Sequence, residues 1–260
     1  MGGSDIARRR DPVRRVFELL RTMIELGSEQ YGVRELAGHA GVPPSTAHRL
    51  LGALEDVGMV TRDGDGSYGV SLEFQRLALR AADLLPLKRM ALGPLQRLRE
   101  ECGETVLLCV YDPERQRMMF AEALETDDPL RYAIELNTWV PVHAGASGRS
   151  IMAFLPEAVL EELLTPGMLD PKTEQTIADP DLLRQALEEV RARGLVTSHG
   201  ERILGAVGIA APVFDARRQV VGSVCVTMPE FRFAQHDGAE LERLVLAAAG
   251  EITKNLGGTP

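Results

Sequence analysis

The feature that most constrains the fold lies in residues 33–70, where two short helical patterns are followed by a strand, a tight turn and a second strand. The first helical pattern, Val33 to His39, ends just before Gly41, a residue suited to a helix C-terminus. The second begins at Pro43 and Pro44, because proline is tolerated in the first turn of a helix. Its apolar residues recur at helical spacing: Leu50, Leu51, Leu54 and Val57. Two short helices around a tight turn predict a helix-turn-helix.

The strand pattern after the second helix predicts a wing. Met59 to Arg62 can pair with Ser67 to Val70 across the turn at residues 63–66. In a helix-turn-helix protein the first turns of the second helix face the major groove of DNA. Hydroxyl and arginine side chains bind phosphates and base edges, and a wing can reach a neighbouring phosphate or the minor groove. We therefore expect DNA contacts from the second helix and the wing: Ser45, Thr46, His48, Arg49 and Arg62.

The net charge of −9 is compatible with DNA binding because the charge is unevenly distributed. Residues 1–70 hold nine arginines and ten acidic residues, so the acidic excess lies almost wholly in residues 71–260. Attraction to phosphate depends on where the cations lie more than on their sum. Five arginines cluster near the start of the chain: Arg8, Arg9, Arg10, Arg14 and Arg15. We expect Arg14 to be a further DNA contact.

Two longer helical patterns flank the helix-turn-helix. The apolar spacing from Val13 through Met23 predicts an amphipathic helix before it. A second pattern runs from Leu72 past Pro86 towards Leu98 and predicts one linker helix over residues 72–100. That helix is apolar on more than one face and needs a partner, which can be its own chain or a second copy. We favour a dimer interface, because helix-turn-helix proteins gain affinity and half-site spacing from two-fold symmetry.

Beyond residue 100, strand and helix patterns occur in mixed order, which predicts an α+β domain with an antiparallel sheet. Two of the strands flank a turn at Asp215 to Gln219 and predict a hairpin. The predicted strands cover residues 105–111, 118–123, 130–134, 208–214 and 220–227, and the predicted helices cover residues 147–154, 157–164, 181–193 and 236–255.

Small residues from Ala144 to Gly148 lead into the helix predicted to begin near Ser147. Such an approach exposes backbone N–H groups beside the positive end of the helix dipole, which suits a carboxylate or another anion. Alternatively, Gly145 and Gly148 only allow a tight loop. The segment is thus a candidate anion site, and the residues alone leave both interpretations open.

At this point the sequence resembles a known family. The run GVPPSTAHRLLGALEDVGMV, followed by GSYGV, is similar to the DNA-binding domain of the IclR family of transcriptional regulators. The runs AAPVFD and VCVTMPE, together with the stretch from Pro141 to Arg149, resemble its effector domain, so the resemblance spans about Val13 to about Lys254. Where the family usually has a lysine before the Ser-Thr pair, this chain has Pro44, so one phosphate contact is expected to be absent.

The resemblance implies an α+β protein in three parts. These are a winged helix-turn-helix DNA-binding domain at 1–71, a linker and dimerisation helix at 72–100, and an antiparallel-sheet (GAF/profilin-like) effector-binding domain at 101–260. It also implies a transcriptional regulator, with repression as the favoured mode, that binds a palindromic operator in double-stranded DNA. The expected assembly is a homodimer that can pair into a homotetramer, controlled by a small organic acid.

The resemblance also indicates an effector site. In the family the carboxylate of the ligand meets backbone amides at the start of a helix, and these amides fall here on Ala146 and Ser147. Four strand positions carry residues that differ from those of many relatives, which implies a different and less polar ligand: Ser198, Gly208, Cys225 and Thr227. Aromatic acids and short keto or hydroxy acids both remain open.

Two other functions compete with this interpretation. Cys225 with His143, His199 or His236 could supply a nucleophile and a base, but nothing in the sequence places a histidine near a cysteine. The second competing function is a ligand-binding module without DNA activity, and the predicted DNA contacts disfavour it.

We expect no catalytic residue, no metal site and no cofactor, because the sequence contains neither metal-ligand spacing nor a phosphate loop. The unpaired cysteines, the missing signal sequence and the short apolar runs predict a cytoplasmic protein that does not enter a membrane.

Overall fold

The computed structural model describes residues 12–82, 84–165 and 167–259. The chain forms two compact units, Met1–Leu84 and Leu85–Pro260. Three arginines of the N-terminal cluster, Arg8, Arg9 and Arg10, lie outside the described residues. Within the described part of the chain, no helix is long and apolar enough to cross a membrane.

The first unit contains the predicted winged helix-turn-helix. Its elements are the helices α1 (Pro12–Leu26), α2 (Val33–His39), α3 (Pro44–Asp56) and α4 (Leu72–Ala82), and the strands β1 (Val60–Arg62) and β2 (Tyr68–Val70). Pro44 is the first residue of α3, where its missing N–H leaves no intrahelical bond unmade. The two strands are antiparallel, with Val60 opposite Val70 and Arg62 opposite Tyr68. The prediction of a helix-turn-helix with a wing is therefore confirmed.

One apolar core holds the first unit together. The buried side of α3 packs with buried residues of α1, α2 and both strands, which fixes the opposite side of α3 towards solvent. Because each of these short elements buries apolar side chains only against the others, the wing and the helices depend on one another for stability. The core residues are Leu19, Leu20, Met23, Tyr31, Leu36, Leu50, Leu51, Leu54, Val60 and Tyr68.

The prediction of one linker helix over residues 72–100 is wrong. Two helices cover this stretch: α4, and α5 (Pro86–Cys102), which belongs to the second unit. Leu85 is extended, with φ −64° and ψ 109°. Proline disfavours the helical conformation in the residue before it and cannot donate the bond that would continue a helix. Pro86 therefore starts a new helix and does not continue the first one.

The second unit is built on a five-stranded antiparallel sheet. Its strands are β3 (Thr105–Asp112), β4 (Arg117–Leu124), β5 (Val196–His199), β6 (Ala206–Phe214) and β7 (Val220–Pro229), in the order β4-β3-β7-β6-β5. The helices that follow α5 are α6 (Gly145–Met152), α7 (Glu157–Leu163), α8 (Pro180–Arg193), α9 (Glu230–Phe233) and α10 (Gly238–Asn255). The predicted hairpin at residues 215–219 joins β6 and β7 and is confirmed.

The sheet buries both faces, and alternate residues of each strand point to opposite sides. Val224 and Val226 of β7 pack with α5 and α10 on one face. Cys225 lies between them and packs with Ala146 and Ile151 of α6 on the other face. A strand that is covered on both sides therefore supplies side chains to the helix α6, whose eight residues are all buried.

Two elements of this unit differ from the sequence-based expectations. Residues 130–134, predicted as a strand, lie outside the sheet. The backbone of Leu130 is bonded to side chains instead, because its N–H donates to Asp128 and its carbonyl accepts from Arg232. The four-residue edge strand β5 was not predicted, because its length gives too few residues for a period-two pattern.

Candidate functional site

The first candidate site is the exposed side of α3. Ser45, His48 and Arg49 are exposed, and their spacing of three and four residues places them on one face of the helix. Thr46 is half-buried beside them. Because Ala47 and the leucines of the opposite face pack into the core, the polar side chains cannot turn inward. The residues predicted to read DNA thus form one continuous polar surface.

Two further predicted contacts, Arg62 and Arg14, are also exposed and already have partners within the protein. The guanidinium carbon of Arg62 lies 5.5 Å from the centre of the Tyr68 ring, a cation–π contact across the wing. Arg14 donates to the carboxylate of Glu18 at 2.7 Å, one helical turn further along α1. A phosphate would have to compete with Glu18 for Arg14, whereas Arg62 can stay on Tyr68 while it binds.

The second candidate site is a pocket in the second unit, between the N-terminus of α6 and the β5–β6–β7 part of the sheet. Its volume, including the solvent-filled mouth, is about 440 Å³. The pocket brings together all six residues predicted to bind an effector. Those six are Ala146, Ser147, Ser198, Gly208, Cys225 and Thr227, and the other lining residues include Leu107, Phe120, Ile134, Glu201, Arg202 and Ile203.

The floor of the pocket is a row of residues from adjacent strands. Ser198 lies opposite Gly208, and Gly208 lies opposite Thr227. The Thr227 hydroxyl donates to the carbonyl of Val207 at 3.2 Å. A Cβ atom on Gly208 would lie 3.2 Å from the Ala146 Cβ and 3.7 Å from the Cys225 Sγ. The missing side chain of Gly208 therefore lets α6 pack closely on the sheet at this point.

The N-terminus of α6 faces the pocket. Gly145 has φ +81°, a conformation that favours glycine, and it turns the chain into the helix. Gly148 lets the helix approach its own connecting segment, since a Cβ there would lie 2.1 Å from the Val142 carbonyl oxygen. The first amides of a helix have no carbonyl partner within it, and those of Ala146 and Ser147 are among them. Their residues line the pocket, so the predicted anion site lies at its wall.

A buried ion pair lies beside these amides. The Arg149 guanidinium contacts the Glu201 carboxylate at 3.0 Å, and the two side chains are only 7% and 8% exposed. The other Glu201 oxygen accepts the Gly145 N–H at 3.3 Å. Burial raises the pKa of Glu201 above its ordinary value, and the charge of Arg149 opposes that shift. The protein thus holds a carboxylate of its own at the first amide of α6.

Arg202 is a cation that lines the pocket, and among the described residues no carboxylate forms an ion pair with it. Its guanidinium carbon lies 5.2 Å from the centre of the Phe120 ring, and its Cβ packs over Gly145. Among the described residues, the buried Nη1 atom has no hydrogen-bond partner. Burial lowers the pKa of Arg202, although guanidinium remains protonated at neutral pH. A buried donor without an acceptor is costly, so this atom is suited to an anionic ligand.

The two thiols beneath α6 are not reactive groups. Burial raises the pKa of Cys225 to about 12 and that of Cys109 to about 11. The thiolate is the nucleophilic form of cysteine, and at neutral pH both groups are thiols. Cys225 therefore contributes a weakly polar wall to the pocket.

The sequence analysis missed Glu201, Arg202 and Phe120. Glu201 and Arg202 follow β5 in the segment SHGER, which has the composition of an exposed turn. Their burial depends on α6 and on Phe120 of β4, both distant in the chain. The one available signal was proximity, since Ser198 was already a predicted pocket residue three positions before Glu201.

A larger opening of about 1040 Å³ lies elsewhere in the second unit, lined in part by Phe154, Arg191 and Phe214. None of the six predicted effector residues lines it. The Arg191 side chain there donates to the Ala153 carbonyl, so this cation already has a partner. Across residues 12–82, 84–165 and 167–259, no group of three or more His, Cys, Asp or Glu residues could hold a metal ion.

Comparison with known proteins gives a consistent result for both units. Residues 12–64 match the family model for the IclR helix-turn-helix domain, and residues 79–254 match that for the bacterial transcriptional regulator IclR C-terminal domain. The chain is 30% identical to the glycerol operon regulatory protein of Streptomyces coelicolor, over 97% of this chain and 98% of that protein. It is 29% identical to the transcriptional repressor IclR of Escherichia coli, over 86% of this chain and 82% of that protein.

A solved structure shares the fold. This is an IclR homologue from Microbacterium hydrocarbonoxydans in complex with 4-hydroxybenzoate. It is 26% identical to this chain, with a TM-score of 0.82 over 95% of this chain and 99% of that one.

Proposed function

The chain belongs to the IclR family of bacterial transcriptional regulators, and we propose that it is a repressor controlled by a small organic acid. Repression is proposed because the relative from Escherichia coli is a transcriptional repressor. DNA binding is assigned to residues 1–71 and effector binding to residues 101–260. Because a bacterial regulator binds genomic DNA, the proposed localisation is the cytoplasm.

The proposed DNA surface is the exposed face of α3 together with the wing. Ser45, Thr46, His48 and Arg49 enter the major groove, where arginine pairs with guanine and hydroxyls bind bases or phosphates. Arg62 and Arg14 bind phosphates on either side. The observation that supports this assignment is that the three exposed residues lie on one face, held outward by a core on the other.

The proposed effector site is the pocket beside α6. The observation that carries this proposal is the buried Arg202 Nη1, which lacks a partner among the described residues in a pocket lined by all six predicted positions. The amides of Ala146 and Ser147 and the Arg202 guanidinium bind the carboxylate. Phe120, Ile134 and the small residues of the sheet hold the apolar body. The 4-hydroxybenzoate complex of a relative supports a small organic acid as the effector.

We further propose a homodimer on a palindromic operator, with pairing of dimers into tetramers. The helix α4 has no buried residue, and Leu72 and Leu79 are 79% and 70% exposed. Apolar residues on a helix face outside the core favour a second copy as partner. A two-fold dimer presents two recognition helices to two half-sites, which is why the operator is proposed to be palindromic.

A cysteine-dependent enzyme is the weaker alternative. The raised pKa of Cys225, about 12, keeps the thiol protonated at neutral pH. His199 is exposed and its Nδ1 lies 3.5 Å from the Glu230 carboxylate, so this histidine is already engaged. A catalytic pair would need a thiolate and a histidine in contact.

One experiment tests the DNA-binding and effector proposals together. An operator is selected from random duplexes by binding to the full chain, and its affinity is then measured against a library of small organic acids. We expect a palindromic site and at least one acid that weakens DNA binding while raising the melting temperature. The control is Gly208→Leu, which fills the pocket between α6 and the sheet and leaves α3 unchanged. A response to acid that persists in this variant would place the effector elsewhere, and no response in the wild type would overturn the sensing role.

A further inference from the structure

We propose that the pocket selects effectors with a single negative charge, because Arg202 supplies one unneutralised cation and the other cation, Arg149, is already neutralised by Glu201. The inference rests on the proposed function, since it specifies the class of acid that the same pocket takes. Glu201 and Arg202, the two residues that determine this selectivity, were not predicted from the sequence.

The Arg149–Glu201 pair contributes no net charge. Its two side chains are in contact at 3.0 Å and both are almost fully buried. Removing either partner would leave an uncompensated buried charge, so the pair acts as a unit. Arg202 is then the one charged lining residue without an opposite charge beside it among the described residues. The pocket therefore has a formal charge of one positive unit, which one carboxylate balances.

The position of Arg202 favours a carboxylate over other anions of the same charge. Phe120 lies against the guanidinium, and the buried Nη1 atom has no hydrogen-bond partner among the described residues. A guanidinium edge binds the two oxygens of a carboxylate in parallel. The Arg202 Cβ lies over Gly145, which brings the side chain beside the amides of Ala146 and Ser147. One carboxylate can thus accept from the side chain and from the helix.

Glu201 limits the ligand to that one carboxylate. Its Oε2 already accepts the Gly145 N–H, the first amide of α6. A second ligand carboxylate inside the pocket would meet an Arg149 that Glu201 already neutralises, so the described lining residues offer it no further cation. The remaining large lining residues, Leu107, Phe120 and Ile134, offer no counter-ion. A second buried charge without a partner would be costly.

The test uses three sets of ligands that differ in the number of carboxylate groups. They are benzoate, phenylacetate and 3-methylbutanoate, each compared with its amide and with the corresponding diacid: terephthalate, 1,4-phenylenediacetate and 3-methylglutarate. Binding to the full chain is measured by calorimetry at neutral pH. In at least one set we expect the monoacid to bind about 10- to 100-fold more tightly than both its amide and its diacid, because the neutral amide leaves the charge of Arg202 unbalanced and the diacid brings a second charge without a cation.

Two variants assign the charge discrimination to residues. Arg202→Gln should remove the preference for the monoacid over the amide, and the matched control Arg115→Gln, in an exposed arginine of the same unit, should retain it. Glu201→Gln should raise affinity for the diacid relative to the monoacid. Because Glu201→Gln leaves Arg149 unpaired and can reduce stability, Arg149→Gln/Glu201→Gln is made as well. The double variant keeps the pocket charge at one positive unit and should keep the monoacid preference.

The outcomes separate this inference from the function it rests on. Equal binding of monoacid and amide, or tighter binding of the diacid, overturns the charge inference and leaves acid sensing intact. An unchanged preference in Arg202→Gln overturns the role of Arg202 in the same way. If no acid from the sets or from the broader library binds, both proposals fail, since a pocket that takes no acid cannot select among acids.

Discussion

The two units hold their functional cations in opposite ways. In the first unit Arg49 is exposed on α3, and its apolar neighbours in the helix form the core. In the second unit Arg149 and Arg202 are drawn into the protein beside α6, where burial lowers the pKa of each. An exposed cation retains its water and is available to a polyanion. A buried cation has lost its water and needs an acceptor that the protein or a ligand supplies.

This difference predicts different consequences of mutation. Removing an exposed cation of the first unit should change binding and leave stability nearly constant. Removing a buried cation of the second unit should change stability if its partner is a protein residue, and ligand affinity if its partner is the ligand; both can change together. Arg149 has a protein partner, Glu201, whereas Arg202 has none among the described residues.

The largest effect is expected for Arg149→Ala, which leaves the Glu201 carboxylate buried without its cation. We expect a loss of about 3–5 kcal/mol in the free energy of unfolding. The one tryptophan, Trp139, lies in the second unit, so its fluorescence during urea unfolding follows that unit. Arg149→Gln/Glu201→Gln should recover most of the loss, because neither residue then carries a charge. A loss below about 1 kcal/mol in Arg149→Ala would mean that water reaches the pair and that the buried pair behaves like a surface one.

A smaller effect of a different kind is expected for Arg49→Ala. We expect DNA affinity to fall about 10- to 100-fold, as for loss of one bidentate base contact. The urea midpoint should not move, because the side chain is exposed and lies outside the core. The measurement is a binding titration on the selected operator, with Arg21→Ala on the exposed side of α1 as the control. Equal losses in the two variants would show that Arg49 contributes only general charge.

The two units also differ in how far the sequence predicts them. The proposed DNA surface is local: Ser45, His48 and Arg49 lie within five residues of one helix, so helical periodicity alone places them together. Four of the six pocket positions come from strands that pair only through long-range contacts, and for these the family resemblance supplied the alignment. The pocket brings these four strand positions together with Ala146 and Ser147.

What the sequence did not predict depends on contacts between distant residues. Nothing local indicates that Arg202 lies over Gly145 and under Phe120, because a charged residue in a polar turn is normally exposed. The break between α4 and α5 could have been predicted from the sequence, because Pro86 is a helix breaker. The apolar pattern on both sides of Pro86 favoured one continuous helix instead.

A third prediction distinguishes phosphate contacts from base contacts in the first unit. Arg62 lies on the wing against Tyr68, so we expect Arg62→Ala to weaken binding by a similar factor on specific and non-specific duplexes. The slope of log affinity against log salt concentration should fall by about one, the value for loss of one phosphate contact. Arg49→Ala should instead weaken the specific duplex more than the non-specific one. A selective loss in Arg62→Ala would identify the wing as a base-reading element.

The smallest effect concerns a buried histidine in the second unit. The His143 ring lies with its Nε2 2.9 Å from the Asp170 carbonyl, and burial lowers the pKa of His143 below its ordinary value. Between that lowered pKa and the ordinary value near 6.5, the unfolded chain binds more protons than the folded one. His143 should therefore reduce stability as pH falls below about 6.5.

The expected measurement compares wild type with His143→Gln, which can keep a donor to the Asp170 carbonyl but does not titrate. The raised pKa of Glu201 acts in the opposite direction. The folded chain binds a proton at Glu201 more readily than the unfolded chain does, so this group increases stability as pH falls. Both proteins contain Glu201, so the difference between them isolates His143. We expect the gap in urea midpoint between pH 7.5 and pH 5.5 to be smaller in the variant. An equal gap would show that His143 is hydrated enough to take up its proton in the folded state.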